Sequence, residues 1–515
     1  MITSDIVNSI NDLEERFPVD QWTVNGIRVW PLYRIGLYFG YIRSHQSGTG
    51  ANSPAGALLQ RLSQAFGLLM GIPRYCVAEV TDRRKHASPS SLAEAVFLSD
   101  GISFANIDGA WYEKFCDPLM RRLTNQGKSS LLMSLSHNYL TPRHSPSVFL
   151  QPRLDCLKVR SRFLRHRPGP QAEHLPGHAA LVAYAAQAGI ASFLPSLATL
   201  RWQALQVRSI ADLHKTFFLK IRPKIGFVVS YYGTEGMAFN LACRESGIPS
   251  VDIQHGVAGE LCPPYGRWRR VPAGGYGLLP SVFWCWSEPD AAAIEQWSPG
   301  GRNGHTAVVG GNPWMSEWQR DDSDLVRNYD RVFASSFPSG ERGDVQRILI
   351  TLQTGFSTAE HLAPLLEAMR TASSSWLWLV RLHPCMLHEK YRIAALLHSH
   401  GITKFEINNA TALPLFALLR HTDIHVTHSS ATVVEAAAFG VPSVIISTYG
   451  AEFFQQQIAD GWARTAYTAD AVLMAIEGQN QDRENLRRLH RSPAADIGRA
   501  LSFLTGMMDR RNGKG

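Results

Sequence analysis

No stretch of the chain approaches the roughly 20 consecutive apolar residues that a spanning helix needs. Its first residues, "MITSDIVNSINDLEERFP", lack the basic-then-apolar order of a signal peptide and are acidic and polar instead. The seven cysteines (Cys76, Cys116, Cys156, Cys243, Cys262, Cys285, Cys385) form no CxxC and are odd in number, which argues against a disulfide framework and for a reducing compartment. The expected location is therefore cytoplasmic. Paired Cys/His zinc spacings and nucleic-acid motifs are missing, so no nucleic-acid partner is expected. Missing too are internal repeats, low-complexity tracts and a DxD between two strands. "RDDSD" at 320–324 lies in a polar stretch and reads as a solvated acidic cluster, so neither a metal nor a cofactor is expected. Acidic charge is in short supply: 43 Asp and Glu against 51 Lys and Arg, a net +8. That excess suits an anionic partner such as nucleotide phosphate, an acidic glycolipid or a membrane surface. It equally fits a basic protein with no charged partner.

What is there has the composition of a packed globular protein, 45% hydrophobic and 18% charged. With domains of roughly 100–200 residues, a chain of 515 implies two domains and an extension. Residues 1–90 read as a helical N-terminal extension. Two of its segments carry apolar faces: "VWPLYRIGLYFGYI", with Trp30, Tyr33, Tyr38 and Tyr41 beside Arg34, and "AGALLQRLSQAFGLLMG", with Leu58, Leu62, Phe66 and Leu69. Such faces either bury against the fold or lie on a membrane, here the inner face of the cytoplasmic membrane.

From residue 91 the pattern changes. A strand at Ala95–Leu98, a loop with Asp108-Gly109, a helix and the strand "SSLLMSLS" make a β-loop-α-β start. Residues 141–170, rich in Pro and Arg, read as an insertion or long loop. Alternation then returns, with strands "KIGFVVS", "IPSVDIQ", "SVFWCWS" and "TAVVGG" separated by helices, so a Rossmann-like domain spans 91–315. Residues 316–345 are polar and strandless and read as a linker. Strands "RILITLQ", "WLWLVRLHP", "TKFEIN", "DIHVTHSS" and "PSVIIS" give a second such domain over 346–480, with a helical tail at 481–515. Parallel sheets with crossover helices receive ligands at the carboxyl ends of their strands.

Those ends carry a suggestive set. Arg381, His383 and Pro384 follow "LWLV"; His428, Ser429 and Ser430 follow "DIHVT" and lead into a helix. First-turn amides of a helix attract phosphate, and the two serines either add hydroxyl donors or simply cap the helix. Glu435, one turn further in, could accept from ribose hydroxyls. In the first domain the strand "VDI" ends on Gln254-His255-Gly256, and a histidine has the intrinsic pKa of a general base. Just beyond lies "GRWRR", with Arg267, Arg269 and Arg270, either an anion-acceptor surface or a solvated basic loop.

"VRLHP" followed by "DIHVTHSSATVVEAAAFGVPSVII", with "DIQHG" before them, resembles GT-B glycosyltransferases of bacterial surface polysaccharide assembly. The nearest types are the capsule Kdo transferases, bacterial sialyltransferases and CDP-glycerol glycerophosphotransferases. The resemblance covers roughly residues 225–450. It implies an α/β GT-B fold of two Rossmann-like domains facing a cleft, acceptor on the first and nucleotide sugar on the second. It also implies a metal-independent transfer from a nucleotide-sugar donor, CMP-linked in preference, to a glycan or lipid-linked acceptor of capsule or lipopolysaccharide. Carried over by position, Arg381, His383, Ser429 and Ser430 fall on the donor phosphate and Glu435 on the ribose, with Pro384 and His428 also in the nucleotide-binding set. Gln353, Thr354 and Gly355 fall on a donor-side loop, and Gln254, Gly256, Arg267, Arg269 and Arg270 on the acceptor side. The base is His255 or Asp108; Asp108-Gly109 resembles the acidic motif of the sialyltransferases, but Ile107 stands where a second acid is usual, and Asp-Gly is also an ordinary turn pair. Asp100 and Glu235 are outside candidates. A nucleotide-sugar epimerase, a CDP-glycerol-type phosphotransferase and a non-catalytic assembly scaffold remain alternatives on the same fold, and stereochemistry stays open.

Overall fold

The computed structural model describes residues 3–46, 92–107, 109–135, 142–164, 173–319, 324–337, 345–489 and 497–510. The chain forms two compact units, one of residues 1–313 with 495–515, the other of residues 314–494.

Unit 1 is built on seven strands: β1 (Ala95–Leu98), β2 (Ser130–Ser134), β3 (Ser147–Phe149), β4 (Ile225–Val229), β5 (Ser250–Ile253), β6 (Val282–Cys285) and β7 (Thr306–Val309). All pair in parallel, in the spatial order β3-β2-β1-β4-β5-β6-β7. Strands buried on both faces need continuous apolar runs, and "AVFL" and "IGFVV" are buried at every position. Phe97 and Phe227 stack at 4.4 Å across the β1–β4 pair.

Unit 2 repeats the plan with β8 (Gln346–Thr351), β9 (Trp376–Arg381), β10 (Phe405–Glu406), β11 (Ile424–Thr427), β12 (Ser443–Ile445) and β13 (Ala463–Thr465). Their order is β10-β9-β8-β11-β12-β13, again all parallel. Both sheets thus have the doubly wound 3-2-1-4-5-6 order of Rossmann folds, unit 1 with one strand added.

The structure departs from the sequence reading in two places. The stretch 141–170 is no long loop: it supplies β3 and a helix over Gln151–Leu164. The run after Asp100 does not pass from loop to helix; Phe104–Ile107 and Ala110–Glu113 first pair as a hairpin, Ile107 opposite Ala110, before the helix Cys116–Asn125. Alternation too short and too polar for a core strand hid that hairpin.

The N-terminal residues belong to the core of unit 1. Helices α1 (Thr3–Arg16) and α2 (Trp30–Gln46) bury Trp22, Trp30 and Tyr33 in one aromatic cluster, and Tyr38 and Tyr41 are buried as well. The apolar face of α2 therefore packs against protein; the second apolar segment, 55–71, lies outside the described residues. Between the helices sits a buried ion pair, Arg34 Nη1 to Glu14 Oε1 at 2.9 Å with both side chains inaccessible. Burial pushes the Glu14 carboxyl up and the Arg34 guanidinium down, and each charge opposes the shift of the other. The pair holds more than itself. Glu14 also accepts from Trp30 Nε1 (2.7 Å) and the Arg269 amide (2.6 Å), and Arg34 Nη2 donates to Gly266 O (2.8 Å) while stacking over Trp268. Among the described residues no helix is long and apolar enough to cross a membrane.

Removing one member of such a pair strands the other charge in the core, at a cost of about 3–5 kcal/mol, whereas replacing both with apolar groups costs far less. Glu14→Gln is therefore expected to lower stability by about 3 kcal/mol or more in urea unfolding followed by tryptophan fluorescence, and Glu14→Leu/Arg34→Met by less than Glu14→Gln alone.

Candidate functional site

In a doubly wound sheet the crevice for ligands opens where the strand order reverses. In unit 1 that point lies between β1 and β4. Ser99 and Asp100 follow β1; Ser230, Tyr231 and Tyr232 follow β4; Gln254, His255 and Gly256 follow the next strand, β5.

Ser230 leaves β4 with φ +64°, the left-handed region that costs a side-chain-bearing residue energy. The turn is tight because the helix Thr234–Glu245 comes straight back onto it: a Cβ on Gly236 would stand 2.6 Å from Tyr231 O. The result aims Ser230 at His255. His255 Nε2 lies 2.9 Å from Ser230 Oγ and 3.1 Å from Tyr232 Oη. Burial pushes the Tyr232 pKa up, so that hydroxyl keeps its proton. Each hydroxyl can donate to Nε2 or accept from it, so the contacts fit either ring tautomer. Nδ1 itself is buried and has no hydrogen-bond partner among the described residues. Burial pushes the His255 pKa down while the charge of Asp100 opposes it. The site thus holds a neutral imidazole with two hydroxyls in hydrogen-bond reach of Nε2. Tyr232 (5.7 Å between centroids) and Phe115 (6.3 Å, edge-on) flank the ring.

Behind Ser230, Asp252 takes the Tyr231 amide on one oxygen and the Tyr265 hydroxyl on the other, both at 3.1 Å; burial pushes its carboxyl up to about 7. Beside Phe115, Glu113 accepts the amides of Phe115 and Cys116 on Oε2, while Oε1 is buried without a partner. Burial, then the charges of Asp100 and Asp117, push Glu113 up to about 8.

The other acceptor-side candidates are engaged within the chain. Gln254 is buried, accepts from the Trp286 amide at 2.7 Å and donates to Gly256 O at 2.9 Å, so it braces the loop. Arg267 pairs with Glu260 at 3.1 Å and Arg269 with Glu15 at 3.6 Å; Arg270 donates to Glu14 O and approaches Asp20 at 3.7 Å. These arginines clip the loop after His255 onto α1. Glu235 pairs with Lys158 at 2.6 Å. Asp108 lies outside the described residues.

In unit 2 the order reverses between β8 and β11, and the donor-side candidates gather there. Gln353, after β8, grips Ser429, after β11: its Oε1 accepts from the Ser429 amide (3.0 Å) and hydroxyl (2.8 Å), and its Nε2 donates to Ser429 O (2.9 Å). Thr354 and Gly355 are exposed, and Gly355 takes φ +85°, which glycine alone adopts freely. Ser430 Oγ accepts from the Thr432 amide (3.3 Å) and donates to Thr432 Oγ1 (3.0 Å), opening the short helix Thr432–Ala438. His428 is buried under Phe356 (4.2 Å, near-parallel); burial, with His361 adding to it, pushes its pKa down to about 4, so it is neutral. Arg381 is not turned outward: Nη1 donates to Ala410 O at 2.8 Å and to Leu413 O, and burial, opposed by Glu435, pushes its pKa down to about 10. His383 is exposed at the N-terminus of the turn Pro384–Glu389, its Nδ1 accepting from the Cys385 amide at 3.2 Å. Beneath, buried His425 bridges Thr351 Oγ1 (2.8 Å) and Ser443 Oγ (2.9 Å), locking three neighbouring strands together.

Sequence reasoning missed Ser230, Tyr232, Glu113 and Phe356. The signal for Ser230 was present: it is the first residue beyond "IGFVV", as His255 is the second beyond "VDI". No sequence cue marked Glu113, whose strand was not expected.

No family model matches the chain, and no curated protein does. Among solved structures it is similar to UDP-GlcNAc 2-epimerase from Methanocaldococcus jannaschii (11% identity, TM-score 0.48, covering 80% of this chain and 99% of that one). It is also similar to UDP-GlcNAc 2-epimerase from Neisseria meningitidis (13%, 0.48, 81% and 99%). A third likeness is to the wall teichoic acid polymerase TagF (10%, 0.45, 89% and 98%). Likeness of this degree carries no argument about activity; the two doubly wound sheets stand on their own strand order.

Glu113 offers a pH test. Folded, it keeps its proton to about pH 8, whereas an unfolded glutamate releases it near 4.3. Its contribution is therefore full below that lower value and fades as pH rises toward 8, by up to about 1.4 kcal/mol per unit. Glu113→Gln, which keeps an oxygen for the two amides, is expected to flatten the loss of stability between pH 5 and 8 in urea titrations.

Proposed function

We propose that the chain is a group transferase that moves a sugar from a nucleotide donor onto a hydroxyl of a surface glycan, with His255 as the base. One observation carries this reading: a neutral imidazole with two hydroxyls 2.9 and 3.1 Å from its Nε2, beside the reversal point of a doubly wound sheet. An acceptor hydroxyl replacing either side chain there would meet a base in hydrogen-bond reach. Asp100, whose charge acts on the ring, stabilises the imidazolium that forms.

The donor side falls to unit 2. The Gln353–Ser429 clamp fixes the loop after β11, and the Ser430 hydroxyl, turned from Thr432, joins the exposed His383 on the donor phosphate. Glu435 takes the ribose hydroxyls, and Arg381 serves it from below as a fixed positive charge. Positive charge and hydroxyl donors offset the charge that develops on the leaving nucleotide. A Kdo- or sialic-like sugar on CMP is the donor that the motif resemblance favours, and a capsule or lipopolysaccharide chain the acceptor.

The first test is binding. At 100 times its dissociation constant a nucleotide adds about 2.7 kcal/mol to the state it binds, so CMP, CDP or UDP is expected to raise the melting temperature of the wild type. His383→Ala is expected to lose that shift. A wild type indifferent to all three, or a variant that shifts as far as wild type, would overturn the assignment of unit 2.

A further inference from the structure

The stretch "VVSYYGTEG" places Ser230 where a buried strand ends and a helix begins at Thr234. Its φ of +64° and the close return of the helix at Gly236 make a sharp strand–turn–helix corner. That corner presents a half-exposed hydroxyl at the switch point of the sheet. This is the geometry by which a serine is held up as a nucleophile. The remaining parts of such a site are beside it. His255 Nε2 stands 2.9 Å from Ser230 Oγ, within reach of the hydroxyl proton. Asp100 supplies the negative charge that favours the protonated ring, while its own oxygens are fixed by the Ile102 amide, the Ser103 amide (both 2.9 Å) and the Ser103 hydroxyl (2.6 Å). A hydroxyl held up on a sharp corner and a histidine nitrogen in hydrogen-bond reach of it are the elements of an activated nucleophile.

We propose that Ser230 is a nucleophile activated by His255, and that unit 1 takes the acyl group of a carboxylic ester. The proposal goes beyond the glycosyl-transfer reading and shares His255 and Asp100 with it. Ser230 Oγ attacks the carbonyl carbon, forming the Oγ–C bond as its proton passes to His255 Nε2. The ester C–O bond then breaks, and His255 returns the proton to the leaving alkoxide. A water or a sugar hydroxyl, deprotonated by the same nitrogen, attacks the acyl-serine and restores Ser230. The Tyr231 amide is held by Asp252, so the carbonyl oxygen has instead the first-turn amides of the helix Thr234–Glu245, which no side chain caps. The neighbouring charge selects the substrate class. Asp100 follows β1, the strand paired with β4, and its charge acts on the ring, so an anionic phosphodiester meets repulsion where a neutral ester does not. Tyr232, Phe115 and Phe39, the last 6.0 Å from Tyr232, offer aromatic surface to such an ester.

The test uses the full chain and a biotinylated fluorophosphonate. Attack by a serine forms the Oγ–P bond and expels fluoride. Wild type is expected to gain one adduct, mapped by mass spectrometry to the peptide containing Ser230. His255→Gln is expected to label about 100-fold more slowly or less, the span of a lost general base. Ser230→Ala retains a side chain at positive φ and could unfold. Ser230→Gly takes that backbone without strain and is expected to stay folded by circular dichroism and gain no adduct. Wild type that gains no adduct overturns the proposal, as does an adduct on Tyr232 or a Ser230→Gly variant labelled like wild type. Nucleotide-induced thermal shift on the same wild-type preparation reads unit 2 separately. A shift without an adduct ends this proposal and leaves the transferase reading standing; an adduct without a shift does the reverse.

Discussion

Two opposite charges share the core of unit 1, and much of the His255 environment is anchored to them. A buried ion pair is held best when its remaining donors and acceptors are satisfied, and Glu14 and Arg34 satisfy most of theirs on the loop that follows His255, Arg34 Nε alone lacking a partner among the described residues. Through Gly266, Arg267 and Arg269 that loop is fastened to α1 and α2. Farther along it Tyr265 reaches Asp252, and Asp252 fixes the amide of Tyr231, the residue after Ser230. A chain of short polar contacts therefore runs from the N-terminal helices to the strained corner beneath His255. It explains why the first helices are packed into unit 1, and why three arginines that looked like an acceptor surface are spent on the fold.

Unit 2 solves the same problem with neutral groups. Gln353 uses both ends of its amide on Ser429, so the loops after the two strands flanking the reversal point cannot move apart independently. His425 ties the strands below them and is kept neutral by burial, which pushes its pKa down to about 3. Arg381 directs Nη1 at three backbone carbonyls, and its charge and that of Glu435 act on each other. The two reversal points thus differ in chemistry: unit 1 offers a base and hydroxyls, unit 2 a rigid loop with hydroxyls and an exposed histidine.

The fold was legible wherever burial on both faces forces an uninterrupted apolar run. Ala95–Leu98 was read to the residue, and "IGFVV", "VFWC" and "LWLV" lie inside the strands the sequence predicts. What escaped is what burial does not pattern. The hairpin around Ile107 and Ala110 is half-exposed, and β3 follows a Pro-rich stretch that reads as loop. Within the site, strand-end logic found His255, Gln353, Ser429 and Ser430, because their positions follow from strand ends alone. It could not foresee that Arg381 turns inward, since the carbonyls that capture it come from a loop about thirty residues on. Nor could it foresee Ser230's left-handed backbone, imposed by the approach of a helix to its own preceding turn.

Everything proposed for unit 1 rests on one proton, the one on Nδ1 of His255, which leaves Nε2 free to receive another. Nitrogen-15 NMR of histidine-labelled protein reads that proton directly, with His255 assigned by its loss in His255→Gln. The account predicts a neutral ring at pH 7 that carries its proton on Nδ1 and titrates below the ordinary histidine value of about 6.5. A ring already charged at pH 7, or one protonated on Nε2, would contradict it.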